Sequence, residues 1–240
     1  MPRLNILGVG VDCVQMPGAL EAIRAWLSQE GPPRAVATVN PEFVMRARGD
    51  PDFARALAAS DLCLPDGAGV VWALRRRGCE LSGRVTGVDL VPELARLCAE
   101  LGAPLYLLGA AGGVAEAAAN ELCRLAPGLR IAGTFAGSPG PEEEARIVDM
   151  VNASRARALL VAYGHPAQEL WIARNRERLN VRVAIGVGGA LDFLSGSVRR
   201  APSAWQARNL EWLYRLITQP WRWRRMLNLP RFALLVLAGR

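Results

Sequence analysis

Residues 158–179 read ALLVAYGHPAQELWIARNRERL. The run Ala158–Ala162 is apolar throughout, without the every-second-residue alternation of a half-solvated strand, so a strand here must be covered on both faces. Gly164-His165-Pro166 then breaks the pattern, and AQELWIARNRERL resumes it at helical spacing. The same succession recurs along the chain. LNILGV (4–9), AVATV (35–39), DLCL (61–64), PLYLLG (104–109), LRIAGT (129–134) and VRVAIGVG (181–188) read as strands. Between them lie helical stretches such as GALEAIRAWLSQ (18–29), GVVWALRRR (69–77), VDLVPELARLCAEL (88–101), VAEAAANELCRLA (114–126) and PEEEARIVDMVNA (141–153). Apolar strands alternating with helices predict an α/β fold, a mostly parallel sheet with helices on both faces. Beyond GGALDFLSGSVRRAP the strands stop and the sequence becomes helical and rich in Trp and Arg. The expected division is a catalytic-type core over 1–199 and a helical appendage over 200–240.

Charge follows that division. The net charge of +7 sits in the appendage: residues 199–240 hold nine Arg and one Glu, leaving the first 198 residues close to neutral. All 29 basic residues are Arg, which excludes Schiff-base lysine chemistry and a phosphate loop of the Gly-Lys-Ser/Thr type. Five scattered cysteines (Cys13, Cys63, Cys79, Cys98, Cys123), without a CxxC pair, read as buried thiols of a reducing compartment. MPRLNILGVGVD has neither the apolar core nor the cleavage site of a signal peptide, so none is expected. FALLVLAG (232–239) falls well short of the roughly 20 apolar residues of a spanning helix.

In an open parallel sheet, ligands collect where the strands end at their carboxyl side. The residues just past each strand are therefore the candidates. AVATV runs into Asn40-Pro41-Glu42 and DLCL into Pro65-Asp66-Gly67, while PLYLLG opens at Gly109. ALLVAYG leads to His165 and Gln168, and VRVAIGVG to Gly188-Gly189 and Asp192. Glycines at such ends suit phosphate, because backbone N–H groups and helix N-termini come close to the anion; tight strand–helix turns also need them. No GxGxxG is present. Asp66 fits a general base taking a proton from an attacking hydroxyl. Pro-Asp-Gly is equally a standard turn, in which Asp66 could cap the next helix. Asn40 and Gln168 suit a sugar's hydroxyls or a helix cap. His165, the sole histidine, lacks a GxSxG partner and reads as a turn residue. No HExxH, Asp-x-Asp or Cys/His cluster appears, so no metal is expected.

The last stretch, LITQPWRWRRMLNLPRFALLVLAGR (216–240), holds Arg222 and Arg225 and follows Arg208 and Arg215, the four at spacings of seven, seven and three. They would share one face of a helix were Pro220 not between them. Leu210, Leu213 and Ile217 add apolar surface, and Trp205, Trp212, Trp221 and Trp223 add rings suited to headgroup depth. Each arginine near anionic lipid contributes about 1 kcal/mol. An amphipathic foot on a membrane surface fits better than a nucleic-acid arm, which has little use for FALLVLAG.

TVNPEF, LPDGAGVV, RVTGVDL, YLLGA, GHPAQELWI, IGVGGALDFLSG, RRAP and LEWLYRLITQPWRWRR, in this order, resemble the WecG/TagA/CpsF family of bacterial glycosyltransferases over about residues 4–230. The resemblance implies a Rossmann-like α/β core and a metal-independent, inverting transfer from a UDP-sugar to a polyprenyl-diphosphate-linked saccharide. Typical members move N-acetylmannosamine or its uronic acid to undecaprenyl-diphosphate N-acetylglucosamine in cell-surface polysaccharide synthesis. It implies Asp66 as base, with Thr38, Asn40 and Gln168 in the same pocket and Arg84 on the acceptor side. Gly109, Gly137 and Asp192 would serve the uridine, and Arg215, Arg222 and Arg225 would reach the diphosphate. Donor and acceptor are then the small-molecule partners and an anionic membrane surface the third, on the cytoplasmic face; no cofactor and no nucleic acid are expected, and homo-oligomer formation is left open. The chain departs from the family at His165 and Ala167, where a small residue and Lys are usual, and at Ser138-Pro139, where many members carry an aromatic. A nucleotide- or dinucleotide-binding module without transfer is the alternative.

Overall fold

The computed structural model describes residues 1–207, 211–218 and 227–239. It opens with an antiparallel hairpin, β1 (Arg3–Ile6) and β2 (Val9–Asp12). This corrects the expectation that LNILGV is one strand. Leu7 and Gly8 both take positive φ, +53° and +97°, and turn the chain back on itself. The hairpin stays outside the main sheet, tied to it where Asp12 Oδ2 accepts the backbone N–H of Cys63 at 2.7 Å.

The main sheet has six strands, all parallel: β3 (Arg34–Val39), β4 (Leu62–Pro65), β5 (Leu105–Gly109), β6 (Ile131–Phe135), β7 (Ala158–Ala162) and β8 (Val183–Gly186), in the spatial order β4-β3-β8-β7-β5-β6. Its strands bury both faces by alternation. Leu105, Leu107, Leu160 and Ile185 face one core, whereas Tyr106, Leu108, Leu159, Val161 and Ala184 face another. The first face is covered by α1 (Met16–Ser28), α5 (Gly87–Leu101), α6 (Val114–Leu125) and α9 (Ala190–Leu194). The second carries α2 (Pro41–Ala47), α3 (Pro51–Ala58), α4 (Ala68–Arg76), α7 (Pro141–Ala153) and α8 (Ala167–Asn175). Between neighbours β3 and β8, the helix that follows β3 (α2) packs on the second face and the one that follows β8 (α9) on the first. That divergence opens a crevice at their carboxyl ends.

After α9 the described chain is helical: α10 (Ser203–Ala207), α11 (Glu211–Thr218) and α12 (Asn228–Leu237). α12 returns to the core and packs against α2 and α4. Its Phe232 is only 2% exposed and joins the second-face core, with Leu235 and Val236 beside it. Gly69 of α4 makes room: an added Cβ would stand 2.8 Å from Pro41 Cγ and 3.6 Å from Phe232 Cε1. FALLVL is therefore two-faced rather than wholly lipid-facing, for Leu234 and Leu237 alone of the run point out, 67% and 56% exposed. No helix among the described residues is long and apolar enough to cross a membrane.

The cysteines also differ from expectation. Cys13, just after β2, is disulfide-bonded to Cys79, just after α4, which the spacing of 66 residues concealed. Cys63 and Cys98 are buried thiols, their pKa pushed up to about 12 by burial. Cys123 is exposed.

Candidate active site

A cavity of about 720 Å³ opens at the carboxyl ends of β4, β3, β8 and β7. Thr38, Asn40, Asp66, Arg84 and Gln168, drawn from separate stretches of sequence, all line it. Local chemistry holds each in place. Thr38, near the end of β3, donates its hydroxyl to the Gly186 carbonyl at 3.3 Å, bridging β3 to β8. Asn40 caps α2: its Oδ1 accepts the N–H groups of Glu42 (2.9 Å) and Phe43 (3.1 Å), satisfying donors a helix start leaves unpaired. Asp66 follows β4, where its N–H donates to the Val39 carbonyl at 2.8 Å and fixes the turn. The residue capping α4 is Gly67, at φ +90°, so Asp66 stands at the cavity without being that helix's N-cap.

Gln168 is 1% exposed. Its Oε1 accepts the N–H groups of Gly164 (3.1 Å) and Gly188 (2.9 Å), pinning the turns after β7 and β8, and its Nε2 donates to Glu169 Oε1 at 2.6 Å. Glu169 beneath it is 4% exposed. Burial pushes its carboxyl up to about 8, the hydrogen bond from Gln168 offsetting only part of the rise. Its Oε2 has no hydrogen-bond partner among the described residues. A Cβ at Gly186 would meet Glu169 Oε1 at 2.6 Å, so the strand must carry glycine to admit the pair.

The opposite wall is ionic. Arg84 donates through Nη2 to Glu211 Oε2 of α11. Glu211 Oε1 in turn accepts from Arg200 Nε at 3.1 Å. Arg200 grips Asp89 through Nη1 (2.6 Å) and Nη2 (3.1 Å), and Asp89 accepts the Thr86 hydroxyl at 2.7 Å. Burial would raise the Asp89 carboxyl, but the Arg200 and Thr86 hydrogen bonds outweigh it and hold it below the ordinary range. Beside this network the cavity is apolar, with Trp72, Phe193, Trp212 and Phe232 among its walls.

The other expected residues lie elsewhere. Gly109 ends β5 at φ +96° and packs on Ala162 and Tyr163, while Gly137 follows edge strand β6 and packs on Phe135. Asp192 sits in the first turn of α9, its carboxyl raised by burial. None of the three lines the cavity described. The Arg215 side chain, Arg222 and Arg225 lie outside the described residues. His165, read as a turn residue, reaches the cavity: its Nε2 is 3.6 Å from Glu42 Oε2 and its ring stacks near Phe43. Glu42, Arg200 and Glu211 were all within quoted motifs, NPEF, RRAP and LEWLYRL, yet only their convergence in space marks them. Among the described residues no group of three or more His, Cys, Asp or Glu side chains is arranged to hold a metal.

The parallel α/β sheet thus gathers a carboxylate, amides and arginines around one cavity at its strand ends. The chain belongs to the WecG/TagA/CpsF family of glycosyl transferases, which matches residues 4–240. Curated relatives sharpen this. The chain is 37% identical over 203 residues to the N-acetylglucosaminyldiphosphoundecaprenol N-acetyl-beta-D-mannosaminyltransferase of Bacillus subtilis, covering 84% of this chain and 78% of that protein. It is 37% identical over 202 residues to the enzyme of the same name from Bacillus spizizenii, with the same coverage. The protein is a glycosyltransferase.

Proposed function

We propose that the enzyme moves N-acetylmannosamine or a related hexose from a UDP donor, with inversion, to a sugar hydroxyl of a polyprenyl-diphosphate-linked acceptor. Asp66 takes the proton from that hydroxyl as its oxygen attacks the anomeric carbon, and the bond to UDP breaks with its electron pair leaving on the β-phosphate. Thr38 and Asn40 border the same space. The observation carrying the reading is that Asp66 stands at the end of β4 in one cavity with Thr38, Asn40 and Arg84, within a chain of this transferase family. The relatives' names supply the acceptor class.

The departing diphosphate requires positive charge. Guanidinium groups bind it in two-point fashion, and Arg84 is a cation that lines the cavity; Arg215, Arg222 and Arg225 are proposed to join it. The arginines would then supply the charge that a metal ion supplies in other transferases. The exposed Leu227, Leu234 and Leu237 of the C-terminal segment, with Trp212 and Ile217 of α11, suit a membrane surface that carries the acceptor. With the membrane reading goes a peripheral position, which we propose to be on the cytoplasmic face.

The test is mass spectrometry of products from a panel of UDP-sugars with an N-acetylglucosaminyl-diphosphate-lipid acceptor, with and without EDTA. A single glycosyl addition that persists in EDTA is expected. UDP-sugar hydrolysis without transfer, or loss of product in EDTA, contradicts it.

A further inference from the structure

We propose that Glu211 is a positioning residue that holds Arg84 in place for an anionic group of the substrate and clasps the C-terminal segment to the core at the same point. The inference rests on the reading of the cavity just given. Glu211 is the sole acidic residue in 199–240, among nine arginines. It is nevertheless 7% exposed, and a carboxylate so buried must be paired. Each of its oxygens takes a different arginine, Oε2 accepting from Arg84 and Oε1 from Arg200.

The two arginines are used differently. Arg200 engages carboxylates through three nitrogens, Nε on Glu211 and both Nη atoms on Asp89. It acts as the cation between two anions. Among the described residues Arg84 is held through Nη2 alone, which leaves Nε and Nη1 for a ligand, and Arg84 lines the cavity. A guanidinium tethered at one corner is oriented without being consumed. The chain of contacts Arg84–Glu211–Arg200–Asp89–Thr86 thus joins the start of α5 and the residues just before it to α11 across 127 residues of sequence. Docking of the C-terminal segment and orientation of the substrate-facing cation become one event.

Glu211 could instead be an internal occupant of an anion site, displaced when substrate arrives. The two roles predict opposite signs. With the full-length chain, inorganic pyrophosphate binding is measured by calorimetry, and hydrogen exchange is followed over residues 211–218, for wild type, Glu211→Gln, Arg84→Gln and the double variant. Positioning predicts that E211Q weakens pyrophosphate roughly tenfold, the scale of one lost charge-assisted hydrogen bond, and speeds exchange in α11. It also predicts no further loss in E211Q/R84Q beyond R84Q alone. In turnover, KM for the lipid-diphosphate acceptor rises about as much in E211Q while kcat changes less. Tighter pyrophosphate binding in E211Q, or additive losses in the double variant, overturns the proposal. If E211Q loses exchange protection throughout the core, Glu211→Asp, which keeps the charge but shortens the reach, is read by the same two measurements. Neither needs catalysis, so failure of transfer in wild type counts against the proposed reaction and leaves this test standing.

Discussion

The two sides of the cavity are built by different means. The floor is made of strand ends: Thr38, Asn40, Asp66 and Gln168 each sit within a few residues of a parallel strand and are fixed by backbone partners nearby. The wall is made of long-range ion pairs and a returning helix, with Arg84 meeting Glu211 and Phe232 meeting Gly69. A floor of this kind keeps its geometry once the sheet forms, because its hydrogen bonds are part of the sheet's own satisfaction of buried backbone. The wall exists only when the C-terminal segment is seated. In the proposed reaction, proton removal, which needs fixed geometry, falls to the floor. Charge neutralisation, proposed to follow a substrate delivered at a membrane, falls to the wall.

The contrast can be broken most severely at Phe232. Replacing it with Ala removes a ring 2% exposed and should lower stability by about 3 kcal/mol in denaturant titration. UDP affinity and transfer should both fall, because the arginines proposed for the diphosphate belong to the wall, while the core strands keep their hydrogen-exchange protection. Loss of protection throughout the core strands would mean that the wall is not separable from the floor.

Glu169→Gln sharpens the floor instead. In the unfolded chain this carboxyl titrates near its ordinary 4.5, but in the fold at about 8. Between those values the folded protein keeps a proton that the unfolded chain has lost, so stability falls as pH rises through the window and levels off above it. The loss amounts to about 2–3 kcal/mol between pH 5 and 7. Glutamine can still accept from Gln168, so E169Q should match wild type near pH 4.5 and exceed it at pH 8, as read by melting temperature. A wild-type stability rising across this window would contradict a neutral Glu169. The smallest expected effect on folding is at the outer face of α12. Leu234→Ser with Leu237→Ser should change stability by no more than about 0.5 kcal/mol, yet reduce sedimentation with anionic vesicles. Unchanged vesicle binding would remove α12 from the membrane face.

Much of the floor is legible in the sequence because it follows from local rules. Apolar runs such as ALLVA mark doubly covered strands, and Thr38, Asn40 and Asp66 fall where such strands end. LNILGV misleads because a two-residue turn at Leu7-Gly8 hides within an apolar run. The wall is illegible for a different reason: nothing local ties Glu211 to Arg84, or Cys13 to Cys79, and a lone Glu in a basic tail reads as incidental. FALLVL carries its own helical period, which buries Phe232, packs Leu235 and Val236 against the core and exposes Leu234 and Leu237. Its apolar content alone suggests lipid, and only the fold shows that half of it belongs to the core.

The central claim is that Asp66 is the base of glycosyl transfer, and the variant that tests it most directly is Asp66→Asn, nearly equal in size but unable to take the proton. Single-turnover transfer to the lipid-diphosphate acceptor should drop by about two to four orders of magnitude, while UDP affinity, measured in parallel, stays within about twofold because the charge proposed to bind diphosphate lies on the arginine wall. Transfer at the wild-type rate in that variant would reduce Asp66 to a turn residue and contradict the account.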